Sequence, residues 1–340
     1  MSASLTLTGE GASSQHQSVD AYLSTWAGKD QSRQRVTALV NGILDAACLL
    51  SERIATGSLE GDPARLVGSN SDGDAQKAID VASHELFVEI LERAGAGWIL
   101  SEEADEPVVL NGSGFGVAID PVDGSGNVGL GAPVGTIFSI IPFTEGEDPF
   151  LTSGRRQVAA GYVSFGNTID VGFSVGDGVL LATMHPQAGE FLIVRRQVKI
   201  PTTTSELAFN ASVHRHLQSG LRQYVQDCLA GRDGPRDRDF NMRWLGSAVG
   251  ELHRILLRGG VFFYAADKRP GYQNGRLRLV YEANPIAFLM EQAEGRATDG
   301  TSAILDKIPT SHHCRTPLVF GSATEVELIA RYLNSNRTSE

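Results

Sequence analysis

Ser101-Glu102-Glu103 closes the run Gly97-Trp98-Ile99-Leu100, and Asp120-Pro121-Val122-Asp123-Gly124-Ser125-Gly126-Asn127 closes the run Phe115-Gly116-Val117-Ala118-Ile119. Short continuous apolar runs of this kind read as buried strands. Four carboxylates are therefore expected where two strands leave a sheet. Donor sets made only of oxygen select hard cations, Mg²⁺ or Mn²⁺. The Gly-Ser-Gly that follows can turn sharply and aim backbone N–H groups at a phosphate. Taken singly, each motif also reads as an ordinary acidic turn. Together, each behind a buried-type strand, they predict a metal site suited to phosphoryl transfer.

The rest of the chain sets the frame. Its 340 residues suffice for one large domain or two of ordinary size. A formal net charge of −11 argues against nucleic acid or an anionic membrane as the main partner. Cys48, Cys228 and Cys314 are scattered and odd in number, with neither zinc spacing nor a disulfide framework. That usage fits a reducing cytoplasm. No apolar run approaches a membrane span and the start lacks a signal-type apolar segment, so a soluble cytoplasmic protein is expected.

Working outward, residues 1–20 are polar and predict a flexible arm. Helical spacing of apolar residues predicts helices over 33–55 and 75–93, with a Gly-rich loop from Gly57 to Gly73 between them. Short strands separated by Gly-rich turns are expected over 97–198. After Pro201 helices alternate with strands: helices 217–230, 246–258 and 284–294, and strands 261–264, 296–299 and 317–320. Leu277 to Tyr281 also reads as a strand. The last helix opens on Ser322-Ala323-Thr324-Glu325, a capping-box pattern. The chain divides near residue 200 into an N-terminal α+β half, 21–200, and a C-terminal α/β half, 201–340.

Asp120-Pro-Val-Asp-Gly-Ser-Gly-Asn127, followed by Val134-Gly-Thr-Ile-Phe-Ser-Ile140, resembles the core of the class I fructose-1,6-bisphosphatase family. That family belongs to the wider group of lithium-sensitive, Mg²⁺-dependent sugar and inositol phosphatases. Further matches follow in order along the chain. They are Gly73-Asp74-Ala-Gln-Lys-Ala-Ile-Asp80, the lone Asn210, Arg243-Trp-Leu-Gly-Ser247 and Gly275-Arg-Leu-Arg-Leu-Val-Tyr-Glu-Ala-Asn-Pro285. The resemblance covers roughly residues 35–333 and implies a layered α-β-α-β-α sandwich with the active site between the two halves. Tyr281-Glu282-Ala-Asn-Pro285 has the bisphosphatase form, where inositol-type relatives usually carry a Trp-Asp-x-Ala motif.

The resemblance also implies roles. Asp74, Glu102, Asp120, Asp123 and Glu282 would ligate metal, with the Val122 carbonyl completing a shell. Asp80 and Glu103 would orient or deprotonate the attacking water. Neighbours in extended chain point to opposite sides, so Glu102 and Glu103 are not expected to face one metal together. Alone, Asp74 reads equally well as the N-cap of the 75–93 helix. Gly124, Ser125 and Gly126 would cradle the departing phosphate. Asn210, Tyr264, Arg276 and Arg243 would hold the sugar and its distal phosphate, with Arg243 lent by a neighbouring subunit of a homotetramer.

The implied reaction is Mg²⁺-dependent hydrolysis of fructose 1,6-bisphosphate, in gluconeogenesis or the Calvin cycle. Several positions depart from the family pattern. Arg276 replaces a usual Lys, Trp244 a usual Tyr, Gly126 a Ser and Gly129 an Asp, and Ala211-Ser212-Val213 replaces Glu-Gly-Tyr. These changes alter the distal-phosphate grip and make sedoheptulose 1,7-bisphosphatase, or a dual enzyme, the nearest rival. Next come a phosphatase of inositol or nucleotide monophosphates and, in another class, a catalytically silent sugar-phosphate binder. Gly114-Phe115 and Pro142 replace residues usual in the family's AMP site, which implies no AMP inhibition there. His312-His313 reads as part of a polar loop.

Overall fold

The computed structural model describes residues 16–69 and 75–335. Its main feature is an eight-stranded sheet. In spatial order the strands are Glu190–Val198, Val179–His185, Ile169–Ser174, Ala159–Phe165, Val134–Pro142, Phe115–Asp123, Trp98–Ser101 and Val108–Val109. Neighbours run antiparallel, apart from the parallel pair Trp98–Ser101 and Phe115–Asp123. That one parallel pairing decides where the chemistry lies. Ser101 sits opposite Ile119, so Glu102 and Asp120 leave the sheet side by side at the same edge.

Layering explains the continuous apolar runs. Helices α1 (Val19–Ala27), α2 (Gln31–Ala55) and α3 (Ala78–Arg93) pack on one face of the large sheet through Val134, Phe138, Val163 and Phe165. The opposite face, through Ile137, Ala160 and Tyr162, packs on α5 (Ala248–Arg258) and α6 (Asn284–Gln292). Both faces are buried, so alternation between polar and apolar disappears. A second sheet, of five strands, covers the far side of α5 and α6 through Ala208, Phe262, Ala297 and Phe320. Helices α4 (Ser219–Leu229) and α7 (Ala323–Ser335) close it from outside through Leu221, Tyr224, Val225, Val326 and Ile329. The sequence of layers is α-β-α-β-α, as the resemblance implies.

Several expectations need correction. Of the arm expected over 1–20, residues 1–15 lie outside the described residues, and beyond them the Ser18 hydroxyl caps α1 by accepting from Ala21 N–H. Val19 and Leu23 are then buried against the large sheet. The loop expected from Gly57 to Gly73 contains the strand Leu66–Ser69, which pairs with Ala75–Lys77. That pairing delays α3 to Ala78, where the Asp80 carboxylate accepts from Lys77 N–H at 2.8 Å. Leu277 to Tyr281 is a strand only at Leu277–Arg278. A π-helical turn, Leu279–Ala283, follows and runs into α6. The Arg278 N–H donates to the Glu282 carboxylate at 2.6 Å, which turns the chain back on itself.

The capping box expected at the last helix gives way to longer-range contacts. The Ser322 hydroxyl accepts from Gly260 N–H, and Glu325 turns inward to Arg236 (2.6 Å) and the Tyr224 hydroxyl (2.9 Å). Arg236 and Glu325 form a buried ion pair, with side chains 7% and 1% exposed. Removing one partner strands the other charge, so Glu325→Ala is expected to destabilise the protein by about 3 kcal/mol. A lowered urea midpoint at unchanged slope would show it; an unchanged midpoint would show that Arg236 finds another partner.

Candidate active site

A cleft of about 300 Å³ opens where the parallel strand pair meets the C-terminal half. Asp80, Glu102, Glu103, Asp120, Val122, Asp123, Gly124, Ser125, Gly126, Tyr264, Arg276 and Glu282 all line it. Most of the residues anticipated from sequence are thus brought to one place. Asn210 lines a smaller adjoining pocket that shares Tyr264, Tyr272 and Arg276 with the cleft. Arg243 lines neither. It lies beside Glu206, 3.3 Å away, on the strand side of the second sheet. Asp74 lies outside the described residues.

Carboxylate oxygens of Asp120, Asp123 and Glu282 lie within 4.8 Å of one another, and all three residues are buried. Glu102 lies beside this group, close to Asp120. Burial pushes Asp120 well above the usual carboxylate range, and the charges of Glu102, Asp123 and Glu282 push it further. Glu282 is likewise driven well up by burial and then by Glu102 and Asp123. Burial raises Glu102 and Asp123 as well. A nest of buried like charges with oxygen donors alone fits a hard divalent cation, which would remove both the repulsion and the need for extra protons.

Each acid is held by identifiable backbone. The Asp120 carboxylate accepts from Val122 N–H at 3.0 Å, bending the chain so that Asp120 and Asp123 converge. Asp123 is fixed by the start of α5. One carboxylate oxygen accepts from the Ser247 hydroxyl (2.9 Å) and from Val249 N–H (2.7 Å). These bonds favour the charged form and oppose the effect of burial. Gly124 takes φ +74°, and a Cβ there would lie 2.7 Å from Cβ of Ser247. Only glycine permits this approach.

Asp80 is the third residue of α3 and 3% exposed. One oxygen accepts from Lys77 N–H, while the other is buried with no hydrogen-bond partner. Burial raises its pKa, against the Lys77 hydrogen bond and charge. A buried acceptor on the cleft wall is suited to a proton or a water. Glu103 is held from the side by Gln76, whose amide donates to its carboxylate (2.8 Å) and to its carbonyl (3.1 Å). Lys77 donates to the Ser125 carbonyl, tying the strand before α3 to the Gly-Ser-Gly turn.

At the distal end, the Arg276 guanidinium lies 5.3 Å from the centre of the Tyr264 ring. Burial pushes the Tyr264 hydroxyl up to about 12, so it stays a donor. Trp244 stacks on Phe262 (5.9 Å, 5°) and meets Tyr264 edge-on at 5.5 Å. The residue that replaces a Tyr therefore buttresses Tyr264 through its ring.

Sequence reading missed Gln76, Lys77, Ser247, Tyr272, Arg278 and Arg315. Period-two spacing in Arg276-Leu-Arg278 could have placed Arg278 beside Arg276. Arg315 carries no such signal. It arrives because Arg315–Thr316 pairs with Leu277–Arg278 across a long gap in sequence.

A layered sandwich that focuses buried carboxylates, a glycine turn and arginines on one cleft defines a phosphatase of the metal-dependent sugar-phosphate type. Comparison with known proteins narrows this. A family model described as the N-terminal domain of fructose-1-6-bisphosphatase matches residues 23–196, and its C-terminal counterpart matches residues 200–334. The chain is 60% identical to the class 1 fructose-1,6-bisphosphatase of Brucella anthropi over 329 residues, which is 96% of each chain. Identity to the enzyme of the same name from Brucella suis is 59% over the same span. The crystal structure of Leishmania major fructose-1,6-bisphosphatase in its holo form superposes with a TM-score of 0.87 at 27% identity, covering 94% of this chain and 99% of that one. The chain belongs to the class 1 fructose-1,6-bisphosphatase family.

Proposed function

We propose that the protein hydrolyses the 1-phosphate of fructose 1,6-bisphosphate, giving fructose 6-phosphate and phosphate. The observation that carries the reading is the convergence of Asp120, Asp123 and Glu282 beside Gly124 and Arg276 in one cleft. Mg²⁺, or Mn²⁺, would be held by Glu102, Asp120, the Val122 carbonyl, Asp123, Glu282 and Asp74. When bound, the cation neutralises phosphate oxygens and acidifies water.

The chain's own groups divide the remaining work. Glu103 and Asp80 hold the attacking water and take its proton as its oxygen bonds to phosphorus and the bond to the sugar oxygen breaks. Backbone of Gly124, Ser125 and Gly126 cradles the departing phosphate. Arg276, Tyr264 and Asn210 grip the distal end, with Arg243 supplied by a neighbouring subunit of a homotetramer. In this reading residues 21–200 carry most of the metal ligands and residues 201–340 most of the sugar contacts. Among the described residues no helix is long and apolar enough to cross a membrane, and a cytoplasmic role in gluconeogenesis fits.

Arg276→Ala is expected to raise KM roughly 10- to 100-fold with a smaller change in kcat, because a charged hydrogen bond to phosphate is worth roughly 1.5–3 kcal/mol. Arg276→Lys should recover part of the loss. A wild-type KM in the Ala variant would move the distal phosphate elsewhere. Phosphate release from fructose 1,6-bisphosphate, sedoheptulose 1,7-bisphosphate and inositol 1-phosphate, compared as kcat/KM, tests the substrate. The fructose ester is expected to lead; a lead for the heptulose ester would replace the assignment, and saturable binding without turnover would make the protein a regulator.

A further inference from the structure

His313 belongs to the polar stretch that sequence reading set aside, yet it bridges two segments of the cleft wall. Its Nδ1 lies 3.0 Å from the Tyr281 hydroxyl and its Nε2 3.1 Å from the Asp105 carbonyl. A carbonyl only accepts, so Nε2 carries the proton. Nδ1 then meets the tyrosine hydroxyl, which can donate to it. A single tautomer satisfies both ends.

Each end leads to the carboxylates. Tyr281 precedes Glu282 and is fully buried against Leu100 and Ala118, on the strands that deliver Glu102 and Asp120, and against Ile141 on the neighbouring strand. Asp105 lies two residues beyond Glu103, in the loop that carries both glutamates. His313 itself is rooted on the Glu282 side. Leu279 N–H donates to the Cys314 carbonyl at 2.8 Å, and Arg315 pairs with Arg278. The ring thus spans from the segment bearing Glu282 to the loop bearing Glu102 and Glu103.

We propose that His313 is a positioning residue, which sets the separation of these two carboxylate-bearing segments and so the metal affinity of the site. The proposal rests on the reading of the cleft as a metal-dependent phosphatase site. Groups that orient ligands from behind typically change metal affinity or activity by about 10- to 100-fold when removed. The adjacent His312 is an internal control. It bonds Asp148 at 2.7 Å, and its approach to the glutamate loop is a 4.0 Å contact with the largely exposed Glu106 carboxylate.

The test uses the whole chain, stripped of metal and titrated calorimetrically with Mn²⁺, alongside steady-state kinetics with fructose 1,6-bisphosphate at saturating Mg²⁺. His313→Ala is expected to weaken Mn²⁺ binding about tenfold and lower kcat about tenfold, with KM within about twofold of wild type. His313→Gln, which keeps an N–H for Asp105, should recover part of both. Tyr281→Phe should lower Mn²⁺ affinity alone but add nothing to His313→Ala. His312→Ala should leave both readouts unchanged. Wild-type Mn²⁺ affinity and kcat in His313→Ala, with only a lower melting temperature, would overturn the proposal. If that variant does not fold, His313→Gln and Tyr281→Phe decide the question by the same criteria. A wild type that binds Mn²⁺ without turnover would defeat the assigned reaction, while the Mn²⁺ titrations still judge His313.

Discussion

Asp120→Asn is expected to lower kcat about a thousandfold, the scale of losing several kcal/mol of metal-derived stabilisation. The amide oxygen can still accept from Val122 N–H, now at 3.0 Å, so the turn that brings Asp120 and Asp123 together should persist. What disappears is one negative charge from the centre of the nest. Without metal that loss relieves repulsion, because burial and three neighbouring acids already oppose ionisation of Asp120. The metal-free variant should therefore melt no lower than metal-free wild type. Added Mg²⁺ should stabilise wild type by mass action and the variant far less. A variant with wild-type kcat and wild-type Mg²⁺ stabilisation would show that Asp120 is not a ligand.

Glu103→Gln is expected to lower kcat by at least about a hundredfold, at the low end of general-base contributions, while sparing metal affinity. Glu103 stands outside the tight group of Asp120, Asp123 and Glu282. Its carboxylate accepts from Gln76, and glutamine at 103 can still accept that bond. The substitution thus removes proton-accepting capacity with little change in shape. Kinetics and Mn²⁺ titration on one preparation separate the two roles. Lost affinity would make Glu103 a ligand, and unchanged kcat would leave Asp80 as the base.

Much of this site was legible because chemistry and folding write the same marks. Trp98–Ser101 and Phe115–Asp123 are buried on both faces, so they appear as unbroken apolar runs, and the acids that end them stand out. Their parallel pairing was not legible, yet it is what places Glu102 beside Asp120. The layer order followed from the resemblance, and the α5 and α6 helices from the alternation of helices and strands after Pro201.

The misses share a cause: contacts distant in sequence overrode local pattern. Leu66–Ser69 lies in a Gly-rich stretch with an exposed Leu66, and pairing with Ala75–Lys77 makes it a strand. Ser322 and Glu325 match a capping box, but Gly260, Arg236 and Tyr224 claim their side chains. Glu282 was expected after a strand, whereas its bond to Arg278 N–H coils the chain into a π-helical turn. Arg278 and Arg315 were not singled out, because it is strand pairing that brings them to the cleft. His313 looked like surface loop because neither Tyr281 nor Asp105 is near it in sequence.

The most direct measurement is phosphate release from fructose 1,6-bisphosphate by metal-stripped protein, before and after addition of Mg²⁺. The carboxylate nest predicts no release without the cation and full turnover once it is restored. Turnover that persists in the stripped protein would contradict the assignment of these acids to a metal.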